Sequence, residues 1–172
     1  MTISRKNIKK QKSKESPKLR LNVCVAIRKK GTKLFLVCHR KGFTDEKGWQ
    51  FPQGGIDEHR DILEEMRREL REEIGTDAIE VLSISPHYYI YEFPREYADS
   101  HPGYSGQRQR WVLAEFEDTD LKINFSHEPA EFDAFQWVDA AKAVDRIVEF
   151  KRDVYIKAMN DLGLTDSNKK YK

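Results

Sequence analysis

Cysteine is scarce in this chain, two in 172 residues. Cys24 and Cys38 each sit inside an apolar run, which excludes a disulfide scaffold, and they lack the paired spacing of a zinc site. They read as reduced thiols of a core, and that suits the cytoplasm. Long apolar runs are also missing. No stretch approaches the ~20 residues of a membrane span, and the N-terminus holds no apolar signal-peptide segment. Without an internal repeat, solenoids and propellers drop out too. The net charge is only +2, but it is unevenly spread. Residues 1–18 carry Arg5, Lys6, Lys9, Lys10, Lys12, Lys14 and Lys18 against Glu15, a net of +6, so the other 154 residues carry −4.

This length suits a single domain with its own core. The expected organisation is a disordered basic arm over 1–18, a domain over 19–163 and a polar tail over 164–172. The arm reads either as a solubilising tail or as an unspecific RNA tether, since lysines neutralise phosphates. Alternating apolar residues predict strands over 19–28, 33–39, 79–85, 87–93, 108–117 and 135–138, with short ones at 49–51 and 121–125. Residues 94–106 form a long loop with two prolines and two glycines, long enough to suggest function. Helices are predicted over 140–147, capped by Asp139, and over 150–162. Mixed strands with a central helix and a late helix pair imply a mixed sheet covered on both faces.

The densest information lies between Gly54 and Gly75. A glycine pair opens a loop, and the helix that follows stops at Gly75. At ~100° per residue, Glu65, Glu69, Glu72 and Glu73 share one wedge, and Leu63, Met66, Leu70 and Ile74 share the next. One side can therefore bury while the other presents carboxylates. A Glu-rich helix face is ordinarily just solvated, and like charges at these spacings weaken a helix. A divalent cation would turn that repulsion into a site, because hard ions such as Mg²⁺ take oxygen ligands.

Arg68-Glu69-Leu70-x-Glu72-Glu73-x-Gly75, with Gly54 fourteen residues before Arg68, resembles the Nudix box, G-x5-E-x7-R-E-U-x-E-E-x-G-U. Two positions depart from it: Arg60 stands at the first Glu, and Thr76 at the last aliphatic position. Arg68 thus loses its usual partner and is expected to turn to Glu64, Glu58 or Asp61. Restoring glutamate at position 60 is expected to add stability.

The resemblance extends to Trp49-Gln50-Phe51-Pro52-Gln53-Gly54-Gly55, Gly106-Gln107-Arg108-Gln109-Arg110-Trp111, Glu131-Phe132-Asp133-Ala134-Phe135-Gln136-Trp137 and Phe150-Lys151-Arg152-Asp153-Val154-Tyr155. These segments are similar to bacterial RNA pyrophosphohydrolases and the related dinucleoside polyphosphate hydrolases. The resemblance implies an α/β/α sandwich with a mixed central sheet, and a divalent-metal-dependent hydrolase of phosphoric anhydrides using Mg²⁺ or Mn²⁺. It implies Glu69, Glu72 and Glu73 at the metal, Glu73 or Glu131 as the catalytic base, and Gly54, Gly55, Arg68 and Gly75 as structural residues of the box. Arg20, Arg40, Gln107, Arg108, Phe150 and Lys151 are candidate substrate contacts. Phe150 is placed to stack on a base, and Tyr104 is a weaker candidate for a base contact. The implied substrate is a 5′-triphosphorylated RNA end, trimmed to a monophosphate as a step in mRNA decay. A dinucleoside polyphosphate is the alternative, and a non-catalytic nucleotide-binding module is a third reading that Arg60 alone supports. No membrane and no obligate protein partner are implied. If residues 107–110 form a strand, glutamines face one way and arginines the other; the sequence leaves open which pair meets the phosphates.

Overall fold

The computed structural model describes residues 18–44, 46–116 and 122–165. Its centre is β1 (Leu19–Arg28), a ten-residue strand whose apolar residues bury on both faces. The chain continues through β2 (Phe35–Arg40), β3 (Trp49–Gln50) and β4 (Gln53–Gly55) to α1 (Ile62–Ile74). Then come β5 (Ile79–Ile84), β6 (Tyr89–Glu92), a one-turn α2 (Arg95–Ala98), β7 (Gly106–Phe116), β8 (Phe132–Val138), α3 (Ala140–Arg146) and α4 (Glu149–Asp161). The strands form one eight-stranded sheet whose main path runs β3-β2-β1-β7-β5. β1 and β7 are parallel, with Leu19 opposite Gly106 and Arg28 opposite Glu115. Every other strand pair among the described residues is antiparallel.

Period-two alternation sends successive side chains to opposite faces. Cys24 and Ala26 of β1, Phe35 and Val37 of β2, and Trp111 and Leu113 of β7 meet Val144 of α3 and Val154, Tyr155 and Met159 of α4. Val23, Val25 and Ile27, Leu36 and Cys38, and Val112 and Ala114 meet Met66, Leu70 and Ile74 of α1. This is the α/β/α sandwich with a mixed sheet that the sequence implies. The two cysteines are free and buried, on opposite faces.

α1 is set by both its ends. The Asp61 carboxylate accepts the Leu63 and Glu64 N–H groups at 2.9 and 3.0 Å, and Gly75 closes the helix in the left-handed region at φ 75°. Full burial of Met66, Leu70 and Ile74 contributes about 1.5–3 kcal/mol per side chain. Asp139 caps α3 by accepting the Lys142 N–H at 2.8 Å.

Several expectations need correction. Residues 122–125 form no strand; the Asn124 N–H instead donates to the Ile74 carbonyl at 3.0 Å, tying this segment to the end of α1. β8 begins at Phe132, earlier than its alternation suggests, because β2 offers partners as far as Arg40. The loop after Pro94 contains the turn of α2. Residues 1–17, Leu121 and residues 166–172, hence nearly all of the arm and most of the tail, lie outside the described residues.

Candidate active site

The site is built where β4 meets α1. Gly54 has no room for a side chain, because a Cβ there would collide with the Glu69 carboxylate. The next residue is equally crowded, with the Arg20 guanidinium lying over Gly55. Pro52 and Gln53 carry the chain past α1 so that the Gln53 N–H donates to Glu73 Oε2 at 2.9 Å. A buried polar network holds that turn. Gln109 Nε2 donates to Asn22 Oδ1 at 2.7 Å and to Gln53 Oε1 at 3.0 Å, and Trp111 Nε1 donates to Gln109 Oε1 at 2.7 Å. The glutamines of β7 therefore face inward, and Gln107 receives the Tyr91 hydroxyl. Arg108 takes the other face, 4.3 Å over the Tyr88 ring. It does not line the cleft described below.

Glu73 is buried, Glu69 partly buried and Glu72 more exposed. Burial first, then the charges of Glu131 and Glu69, push the Glu73 carboxyl well above its usual range. Burial likewise raises Glu69, against the pull of Arg68, with Glu72 and Glu131 adding to the rise. Glu131 lies on the exposed loop before β8, its carbonyl accepting the Lys41 N–H at 2.9 Å. Glu69, Glu73 and Glu131 thus act on one another electrostatically. Among the described residues, however, no three His, Cys, Asp or Glu side chains converge in a metal-holding cluster.

Arg68 explains much of that. Its guanidinium donates to Glu65 at 3.0 Å, Glu69 at 2.6 Å, Glu72 at 3.0 Å and the Gly55 carbonyl at 3.1 Å. The expected partners Glu64, Glu58 and Asp61 are not used, because Asp61 caps the helix and Glu65 is the carboxylate turned inward. Glu65 also receives Arg60 Nη1 at 3.4 Å. Arg60 is thereby accommodated: the buried Glu65 supplies the negative charge that the departure at position 60 removes.

Beside the carboxylates lies a narrow cleft, lined by Arg40, Gln50, Gln53, Gln107 and Lys151 on its polar side. Tyr91, Phe93, Tyr97, His101 and Phe150 supply the aromatic side. Phe150 packs 4.8 Å from Tyr97 and 5.7 Å from Tyr91. Lys151 is buried, with Nζ donating to Gln50 Oε1 at 3.2 Å, and burial followed by Arg40 lowers its pKa to about 8. Neither Arg20 nor Arg40 makes an ion pair among the described residues. Positive charge without a counterion beside an aromatic wall suits an anionic, ring-bearing ligand. Arg20 and Tyr104 belong to a second, more open cleft with Lys18, Glu65 and Arg68. Tyr91, Tyr97 and His101 line the cleft without being singled out by the sequence. The length of the 94–106 loop is the only signal for the last two.

Comparison with known proteins agrees with this geometry. The family model for the NUDIX domain matches residues 18–158. The RNA pyrophosphohydrolase of Gluconacetobacter diazotrophicus is 41% identical over 117 residues, covering 66% of this chain and 70% of the relative. That of Bartonella henselae is 38% identical over 132 residues, covering 73% and 76%. Among solved structures, the E. coli dihydroneopterin triphosphate pyrophosphohydrolase superposes with a TM-score of 0.64 at 20% identity, over 83% of this chain and 99% of that one, a likeness of fold.

Proposed function

Since the chain belongs to the Nudix family, we propose that it is an RNA pyrophosphohydrolase, converting a 5′-triphosphorylated RNA end to a 5′-monophosphate in the cytoplasm. The observation that carries this reading is the adjacency of two features. One is the mutually repelling set Glu69, Glu73 and Glu131. The other is a cleft pairing an aromatic wall with Arg40 and Lys151.

The donor set fits a hard divalent cation, Mg²⁺ or Mn²⁺. All its donors are carboxylate oxygens, and burial, with neighbouring carboxylates, pushes the pKa of Glu69 and Glu73 up. Glu69, Glu72 and Glu73 would hold it, and when bound it supplies neutralisation of phosphate charge and a more acidic water. The chain's own residues do the rest. Arg40 and Lys151 bind the phosphate oxygens, and Arg20 extends that field toward Gly55. Phe150 stacks on a base, a contact tolerant of sequence. Glu131 is exposed and free of ion pairs among the described residues, so it accepts the proton of the attacking water. The P–O–P anhydride breaks, and pyrophosphate or phosphate leaves.

The test is to incubate the protein with Mg²⁺ and either 5′-triphosphorylated RNA or diadenosine tetraphosphate, and to measure kcat/KM for each. Higher kcat/KM on RNA, with a monophosphate end as product, is the expected result. Preference for the dinucleotide would replace this reading with dinucleoside polyphosphate hydrolysis. Absence of turnover on both would support a binding module.

A further inference from the structure

The sheet face that packs on α1 continues beyond that helix as a basic surface. Arg108 and Arg110 sit two apart on β7 and point the same way. Val23, the partner of Arg110 in the sheet, packs against α1, which identifies the face. Both guanidiniums lie over one ring, that of Tyr88, at 4.3 and 5.1 Å. Among the described residues neither has a carboxylate partner, and the Arg110 Nε has no hydrogen-bond acceptor. Strand register sets Leu21 on one side of Arg108 and Ile90 on the other. Ile90 is 55% exposed, so this row is open to solvent. Leu21 also lines the second cleft, beside Arg20, Lys18 and Tyr104. There Lys18 lies 5.0 Å over the Tyr104 ring. The carboxylates of that cleft are engaged: Glu65 by Arg68 at 3.0 Å, Asp57 by the His59 N–H at 2.9 Å, and Glu58 by His59 Nε2 at 3.7 Å. Arg20 reaches the first cleft electrostatically, acting on Tyr91 and His101. A line of cations, several of them set on aromatic rings, therefore leads from the phosphate cleft past Gly55 to Tyr88.

We propose that Arg108, Tyr88 and Arg110 form a docking surface for single-stranded RNA downstream of the 5′ end held in the cleft. Charge complementarity argues for a polyanion, since two guanidiniums without counterions stand on a domain that is acidic outside its arm. Guanidinium matches phosphate oxygens bidentately and also stacks on bases. Held on the Tyr88 ring, both arginines lose less freedom when they bind. Continuity argues for RNA among polyanions. A strand whose first phosphates meet Arg40 and Lys151 has to leave the cleft, and the exit past Arg20 and Leu21 delivers it to Arg108. Ile90 then offers an apolar contact to a sugar or base. Arg108 thus meets the substrate outside the cleft, on the opposite face of β7 from Gln107 and Gln109.

This inference rests on the proposed RNA reading, and its test separates the two. Binding of a 5′-hydroxyl single-stranded RNA, without divalent cation, is measured over a salt series. The proteins are the full-length wild type, Arg108→Gln, the double variant Arg108→Gln/Arg110→Gln and the double variant Arg108→Lys/Arg110→Lys. The slope of log affinity against log salt should flatten by about 0.7 in the single variant and about 1.4 in the glutamine pair, the single-strand value for each phosphate. On the same relation, affinity at about 0.1 M salt falls roughly five-fold for each arginine removed. The lysine pair should keep the slope, because it keeps the charge. The basic arm is present in every protein compared, so its contribution cancels. Since the readout needs no turnover, failure of the RNA reading shows separately, as absence of hydrolysis of triphosphorylated RNA. Superimposable salt curves for the wild type and both glutamine variants overturn the proposal. A lysine pair flattened as much as the glutamine pair would mean a packing role, and overturns it too. Polyglutamate binding that is lost in the glutamine pair, with RNA curves unchanged, would assign the face to an acidic protein segment and likewise overturn it.

Discussion

Reversing the charge at Arg60 tests how this box is held together. By resemblance, Arg60→Glu restores a missing residue and should stabilise. The structure gives the opposite sign. Arg60 Nη1 lies 3.4 Å from Glu65 Oε1, with the Arg60 side chain 65% exposed and that of Glu65 only 7%. An exposed pair of this kind contributes about 0.2–1 kcal/mol. A carboxylate at position 60 removes that attraction and adds a repulsion of similar size, so Arg60→Glu is expected to cost about 0.5–2 kcal/mol. For a chain of this length the melting temperature falls by roughly 1–8 °C. Arg60→Ala loses only the pair and should fall by less. In a Glu65→Gln background the repulsion disappears, and Arg60→Glu should change stability by no more than about 0.5 kcal/mol. Acid gives a second check. Hydrogen bonding from Arg68 holds the Glu65 carboxyl below its ordinary 4.5. The stabilisation from its ionised form is therefore present above that value and lost as pH falls through the lowered folded pKa. The deficit of Arg60→Glu should shrink there. Thermal unfolding of the wild type and these variants, Glu65→Gln alone included, at pH 7 and pH 4 decides the matter. A melting temperature for Arg60→Glu above the wild type at pH 7 refutes the reasoning.

Glu69→Gln and Glu73→Gln should each lower Mg²⁺-dependent turnover by at least ~100-fold while leaving circular dichroism unchanged, because the amide oxygen can still accept the Gln53 N–H at position 73. Near wild-type turnover at saturating Mg²⁺ would remove that residue from its role. Lys151 titrates near 8, below its ordinary 10.5. Its positive charge, and with it substrate affinity, should decline as pH rises through about 8. Stability moves the other way over the same window, since the cost of burying the charged form is relieved between about 8 and 10.5. Lys151→Arg should abolish the affinity limb in a binding titration against pH. Deleting residues 1–17 should weaken binding of long RNA and flatten the salt dependence by about 0.7 in slope for each phosphate no longer neutralised, without altering dinucleotide hydrolysis. Superimposable salt series would mean that the arm is only solvated.

How much was legible in sequence follows the range of the interactions. The apolar wedge of Met66, Leu70 and Ile74 reports its own burial through periodicity, and β1, β7 and the box helix were read nearly to their ends. Asp139 announced its helix by local hydrogen-bonding chemistry. The partners of Arg68 were not read correctly: Glu65 shares the wedge of Glu69 and Glu72, but only the packed box shows its carboxylate buried against Arg68. Likewise, alternation separated Gln107 and Gln109 from Arg108 and Arg110, but only the packing of α4 against β6 and β7 says which pair meets the cleft. Residues 122–125 misled because an apolar pair in a connecting segment packs on the α1 face of the core without pairing as a strand.

The parallel pairing of β1 with β7 has a practical consequence at the chain's N-terminal side. Leu19 lies opposite Gly106, and the Ser105 N–H donates to the Lys18 carbonyl at 2.9 Å. Lys18 also lies 5.0 Å over the Tyr104 ring. The loop carrying Tyr97 and His101 is therefore fastened, at its far end, to the residue where the basic arm joins the domain. A truncation ending at residue 17 keeps that fastening, whereas one reaching residue 18 removes it and leaves Ser105 held by the Phe93 N–H on its carbonyl at 2.9 Å. Effects of the longer cut on small substrates would then belong to the loop, and a fusion partner joined directly to Lys18 would pull on the wall of the cleft.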